Sequence, residues 1–188
     1  MKDIIRVKQR ICAENILNYL NFQLDIDKGY PDKTTWGYAF TYLVSIMLEN
    51  NELTRKSLKH LRKQDTNDKN YPWEFIVFAL KESQYFKFHD IDHPATELKR
   101  KGTTVLNWRL LNFYNKILFK KNNFINQNFI RILVKIHQKP YGLLMDEFNT
   151  RSLQYHNFSL LLLLKIYEKD QQLEWLKKKI QLAMQFSL

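Results

Sequence analysis

The chain has 188 residues, of which 45% are hydrophobic and 26% charged, so it holds enough apolar material to form a core of its own. Its 30 Lys and Arg against 19 Asp and Glu give a formal net charge of +11, which is typical of a protein with a polyanionic partner and also arises from biased genome composition. Intrinsic disorder and a disulfide-stapled miniprotein are excluded by this composition and by the presence of a single cysteine. A membrane-spanning segment is excluded because apolar runs such as the five leucines at 160–164 are far shorter than the roughly 20 residues that a bilayer requires.

The spacing of apolar residues predicts an all-α fold. Only four Gly and four Pro occur, which disfavours a turn-rich β protein. Apolar residues recur at three- and four-residue intervals in about eight segments, which are predicted to form antiparallel helical hairpins like those of an α/α toroid or an α-solenoid. The predicted helices cover residues 3–24, 35–49, 53–63, 72–85, 103–120, 122–138, 151–167 and 171–186.

The apolar content of each helix indicates how deeply it is buried. The second, fourth and seventh helices are rich in large apolar residues and are expected inside, while the third and eighth are expected outside. Within the seventh helix, Leu161 and Leu162 are both expected to be buried. We expect one helical domain over residues 1–188.

Two long loops, residues 86–102 and 139–150, follow the fourth and sixth helices. If successive helices alternate in direction, both loops lie at one end of the helical layer, beside the N-termini of the fifth and seventh helices. Helix N-termini carry unpaired N–H groups and partial positive charge, so this end is suited to an anion. The candidate side chains there are His89, His93, Asn107, Trp108, Arg109, Arg151, Tyr155 and His156.

Arg151 and Tyr155 are four residues apart and therefore share a helix face. A guanidinium over a phenol favours the phenolate, so Tyr155 is a candidate proton carrier. The alternative is a surface arginine stacked on a tyrosine, with His156 capping a neighbouring loop. The candidate substrate-binding residues, including aromatic platforms for sugar rings, are Trp36, Trp108, Arg109, Tyr141 and His93.

Two segments resemble parts of a known enzyme group. Residues 151–160, RSLQYHNFSL, resemble a Tyr-His-bearing helix of the α/α-toroid polysaccharide lyases, the alginate lyase and heparinase II/III group, and residues 102–108, GTTVLNW, are similar to an Asn-Trp helix start in related toroids. The resemblance implies β-elimination of an acidic polysaccharide, in which Asn107 and His156 neutralise a uronate carboxylate and Tyr155 exchanges protons. Because 188 residues are too few for a complete toroid, it also implies a fragment of one or a non-catalytic relative.

The second hypothesis is a non-enzymatic helical-repeat module that binds nucleic acid or an acidic protein through basic outer helices. Its candidate clusters are residues 55–63, 99–101 and 177–179. A structural or assembly protein is the third hypothesis. Two minor alternatives are a metal site at 89–93, HDIDH, and a glycosidase pair formed by Asp146 or Glu147 with Asp90 or Asp92.

The sequence contains no motif for a cofactor, so none is expected. The single cysteine, Cys12, cannot form an internal disulfide, and no apolar leader follows Met1. We therefore expect a cytoplasmic protein without membrane contact. The sequence leaves open whether the protein is an enzyme.

Overall fold

The computed structural model describes residues 2–64, 72–83, 104–118, 124–147 and 151–187. These ranges hold eight α-helices and no β-strand, so the prediction of an all-α protein is confirmed, and each predicted helix boundary lies within three residues of the observed one. None of the described helices is long and apolar enough to cross a bilayer. The helices are α1 (Lys2–Gln23), α2 (Thr35–Met47), α3 (Asn51–Leu61), α4 (Pro72–Ser83), α5 (Leu106–Leu118), α6 (Phe124–His137), α7 (Leu153–Lys169) and α8 (Glu174–Ser187).

The contacts within the chain define two compact units, Met1–Pro94 and Ala95–Leu188. The first unit holds α1 to α4 and the second holds α5 to α8. The single domain over 1–188 stays a prediction.

In the first unit, α2 packs against α1, α3 and α4. Its sequence, TWGYAFTYLVSIM, is apolar on nearly every face, and Tyr38, Ala39 and Tyr42 are almost completely buried. The next helix, α3, begins at a side-chain cap, because the Oδ1 atom of Asn50 accepts a hydrogen bond from the Leu53 amide at 3.0 Å. The burial of α2 confirms the prediction that the second helix is an inner one.

A buried aromatic stack fixes the connection between α1 and α2. The rings of Tyr30, Tyr38 and His60 stack in that order, with centroids 5.4 and 5.2 Å apart. The Tyr38 hydroxyl accepts a hydrogen bond from the Tyr30 amide at 3.0 Å, and His60 Nε2 donates to the Asp25 carbonyl at 3.0 Å. Gly29 adopts φ +80°, and a Cβ atom at this position would lie 2.1 Å from the Tyr38 hydroxyl, so only glycine fits.

In the second unit, α7 packs against both α5 and α8, and α5 also packs against α6. The prediction that Leu162 is buried is confirmed, since its side chain is 0% exposed. The same prediction for Leu161 is wrong, because that side chain is 37% exposed. Five consecutive leucines advance by about 100° per residue and surround the helix, so they cannot all face the core.

Candidate functional site

The loop between α6 and α7 folds onto the N-terminus of α5. The Leu106 amide donates to the Asp146 carbonyl and the Asn107 amide donates to Asp146 Oδ1, both at 3.0 Å. Burial raises the pKa of Asp146, while the hydrogen bonds from Asn107 act in the opposite direction. This loop therefore lies beside a helix N-terminus as expected, and the carboxylate of Asp146 occupies the anion position there.

His156 is fully buried, and both of its ring nitrogens are used within the second unit. Nδ1 accepts a hydrogen bond from the Leu144 amide at 3.0 Å, so the ring proton is on Nε2, which donates to the Ser187 hydroxyl at 2.9 Å. Burial lowers the pKa of His156, which favours the neutral ring. The imidazole of His156 on α7 therefore links the loop to α8 through hydrogen bonds. This arrangement matches the alternative interpretation, in which His156 caps a neighbouring loop.

The four residues predicted to be catalytic divide between the interior and the surface. Asn107 and His156 are buried, whereas Arg151 and Tyr155 are exposed. Tyr155 and His156 are adjacent on α7, so their side chains leave the helix about 100° apart. The structure therefore does not bring the four around one open cleft, and their catalytic roles stay predictions.

The predicted substrate-binding residues lie in different places. Trp36 is exposed and lines an apolar cleft of about 410 Å³ in the first unit. In the second unit, Tyr141 is exposed against the Phe186 ring, 5.7 Å between centroids, and Trp108 is half-buried on α5. His93 lies outside the described residues.

The minor hypotheses fall partly or wholly outside the described residues. The HDIDH segment at 89–93 is not described, and the described ranges contain no group of three or more His, Cys, Asp or Glu that could hold a metal ion. Asp146 caps α5, while its proposed partners Asp90 and Asp92 are not described. The metal site and the carboxylate pair therefore stay predictions.

The basic cluster on α3 is partly neutralised by acidic neighbours. Lys56 Nζ lies 2.6 Å from Glu52 Oε1, and Lys59 Nζ lies 2.9 Å from Asp27 Oδ1. On α8, Lys177 and Lys178 are exposed, while the cluster at 99–101 is not described. The pairs on α3 reduce the positive charge that this helix offers to a partner.

A longer stretch of the chain is basic because it lacks acidic residues. Residues 98–145 contain ten of the 30 Lys and Arg and none of the 19 Asp and Glu, so the rest of the chain holds twenty basic and nineteen acidic residues. Nearly all of the net charge of +11 therefore belongs to this stretch, which includes α5 and α6. Adjacent Lys and Arg occur in it only at 99–101 and 120–121, so the absence of acids is the signal that identifies the whole stretch.

A small cleft between α5 and α6 brings two of these cations together. It has a volume of about 70 Å³, enough for a few water molecules or one carboxylate group. Its lining includes Arg109, Asn112, Lys116, Asn126 and Phe129. Lys116 Nζ donates to Asn126 Oδ1 at 3.4 Å, and the Arg109 guanidinium lies 5.2 Å from the centroid of the Phe129 ring. No acidic residue is among the described residues that line the cleft.

The side chains of Lys116 and Arg109 are close enough in this cleft to repel each other. Partial burial lowers the pKa of Lys116, and the like charge of Arg109 lowers it further. An anion between the two side chains would offset their repulsion, and the planar Arg109 guanidinium can hold a carboxylate or phosphate through two parallel hydrogen bonds. Arg109 was predicted to bind substrate, and the structure gives it Lys116 as a neighbour in this cleft.

The described residues thus define an all-helical protein with a basic helical hairpin that contains no acid. Comparisons with protein-family models, with curated proteins and with solved structures find no match to this chain.

Proposed function

We propose that this protein is a non-enzymatic helical module that binds an acidic partner through α5 and α6. The observation that carries the proposal is the acid-free stretch 98–145, whose two described helices place Arg109 and Lys116 in one cleft. A partner carboxylate or phosphate in that cleft would gain charge-assisted hydrogen bonds. Several further cations of the same stretch would add long-range attraction.

Polysaccharide lyase activity is the competing proposal. The site geometry favours the binding module, because His156 and Asn107 are buried and hydrogen-bonded to the loop after α6 rather than facing a substrate. Release of an unsaturated uronate from alginate or heparin, lost in Tyr155→Phe, would instead support the lyase. We also propose a toroid-like or solenoid-like arrangement of the helices. A cytoplasmic location is part of the proposal as well, and the exposed free thiol of Cys12 agrees with a reducing compartment.

The proposal predicts that charge in the cleft matters more than equal charge elsewhere. Binding of a fluorescent polyglutamate peptide to the full chain is measured by anisotropy at several salt concentrations. The double variant Arg109→Gln/Lys116→Gln is expected to raise Kd roughly 10- to 100-fold, since two charge-assisted contacts are lost. Affinity of the wild type is expected to fall as salt rises.

The matched control is Lys177→Gln/Lys178→Gln, which removes the same charge from the exposed face of α8. This control is expected to change Kd by less than about threefold, as is typical of exposed single charges. Equal weakening by both double variants would contradict the proposed site, and circular dichroism of each variant verifies that the helices are retained.

A further inference from the structure

The exposed side of α6 carries a stripe of large apolar residues. Ile125, Phe129, Ile132 and Ile136 follow at intervals of four, three and four residues and are between 44% and 76% exposed. This spacing places all four side chains on one helix face, and it is the spacing by which one helix packs along another. We call these four residues the α6 stripe.

Basic groups border the α6 stripe on both sides. At about 100° per residue, Lys135 lies about 60° from Ile132 and borders one side of the stripe, Arg131 lies further round the helix on that side, and both are exposed. On the other side, Phe129 belongs both to the stripe and to the lining of the cleft that contains Arg109 and Lys116. The sequence of α6, FINQNFIRILVKIH, has no acidic residue. The face is therefore apolar in the middle and positive along both edges.

The charge pattern decides among the possible occupants. A second copy of α6 packed on the stripe would place Arg131 and Lys135 close to like charges, which is unfavourable. A nucleic acid would satisfy the cations but would present phosphates and sugars to three isoleucines. A lipid surface is flat, whereas the cleft is recessed between two helices and suits a single side chain. A helix with apolar residues on one face and acidic residues beside them satisfies both features.

We propose that the partner is an acidic amphipathic helix that docks along α6, with its apolar side chains on the α6 stripe and a Glu or Asp side chain in the cleft between Arg109 and Lys116. The inference rests on the proposed function, because it names the class of acidic partner that α5 and α6 bind. The stripe covers about three helical turns, roughly 16 Å, so the docking segment needs at least that length of helix.

The probe is a synthetic 18-residue helical peptide with Leu at 3-4 spacing and Glu beside it, compared with a scrambled peptide of the same composition. Both are titrated against the full chain by anisotropy. The amphipathic peptide is expected to bind at least about tenfold more tightly than the scrambled one, since only it can bury the stripe. Equal affinity for the two peptides would overturn the inference.

The matched variants separate this inference from the proposed function. Ile132→Gln/Ile136→Gln is expected to weaken amphipathic peptide binding about tenfold or more while leaving polyglutamate binding within about twofold. The control Leu153→Gln changes an exposed apolar residue of α7 and is expected to affect neither. Suppose that Arg109→Gln/Lys116→Gln weakens polyglutamate binding but Ile132→Gln/Ile136→Gln binds the amphipathic peptide as tightly as the wild type does. The inference of an amphipathic helical partner then fails, and the proposed function stands.

Two further ligands test the excluded partners in the same assay. A 20-base-pair DNA duplex and vesicles of phosphatidylcholine with phosphatidylserine are each expected to bind more weakly than the amphipathic peptide at physiological salt. Tighter binding of either would overturn the inference. Equal weakening of polyglutamate binding by the cleft variant Arg109→Gln/Lys116→Gln and by the control Lys177→Gln/Lys178→Gln would instead overturn the proposed function.

Discussion

Replacing Leu162 with alanine is expected to lower the free energy of unfolding by about 2–5 kcal/mol. Leu162 is 0% exposed on α7, the helix that packs against both α5 and α8. Its buried neighbours on the same helix, Leu163 and Ile166, are also fully enclosed, so truncation removes apolar contacts and leaves a cavity. The measurement is chemical denaturation followed by circular dichroism at 222 nm, a helical signal, compared with the wild type.

The neighbouring residue supplies the control. Leu161→Ala makes the same chemical change one position away, where the side chain is 37% exposed, and is expected to cost less than about 1 kcal/mol. Similar losses for the two variants would show that the packing of α7 differs from the arrangement described above.

Replacing His156 with alanine is expected to destabilise the protein by about 2–4 kcal/mol at pH 7. The substitution leaves the buried Leu144 amide without its acceptor, which alone costs about 1–3 kcal/mol, and it also opens space beside Phe186. The control Tyr155→Phe changes an exposed hydroxyl on the next residue and is expected to alter stability by less than about 0.5 kcal/mol.

The pH dependence of that difference tests the role of His156 more sharply. Its folded pKa is lowered from 6.5, so in the window below 6.5 the unfolded chain binds a proton that the folded chain does not. The contribution of His156 to stability is therefore fully present above pH 6.5 and decreases as the pH falls toward the folded pKa. The stability gap between wild type and His156→Ala is expected to narrow from pH 7 to pH 5. A gap that is small, or that stays constant with pH, would contradict a neutral, buried imidazole joining the loop to α7 and α8.

The helices could be predicted from the sequence because their signal is local. Apolar spacing and breaks such as Pro31 and Pro140 predict each of the eight helices in the described residues, since a helix hydrogen-bonds within its own segment. The cap at the start of α5 could not be predicted from the sequence. Asp146 accepts a hydrogen bond from the Asn107 amide, and the two residues are 39 positions apart in the chain. The exposure of Leu161 was missed because a run of identical residues has no period.

The candidate site was only partly within reach of the sequence. The sequence predicts Arg109 as a site residue, but it groups Arg109 with Asn107, Tyr155 and His156. These residues are grouped because they lie near predicted helix N-termini. The neighbour of Arg109, Lys116, is seven residues away, two turns along the same face of α5, so that pair could have been predicted. The contact of Lys116 with Asn126 depends on how α5 and α6 pack, which the sequence pattern does not specify.

The central claim is that α5 and α6 form the binding surface. The most direct test is backbone amide NMR of the isotope-labelled full chain during titration with the polyglutamate peptide. We expect the largest chemical-shift changes within residues 106–118 and 124–137, with little change in the basic segments of α3 and α8. Largest changes at residues 55–63 or 177–179, or around Tyr155 and His156, would contradict it.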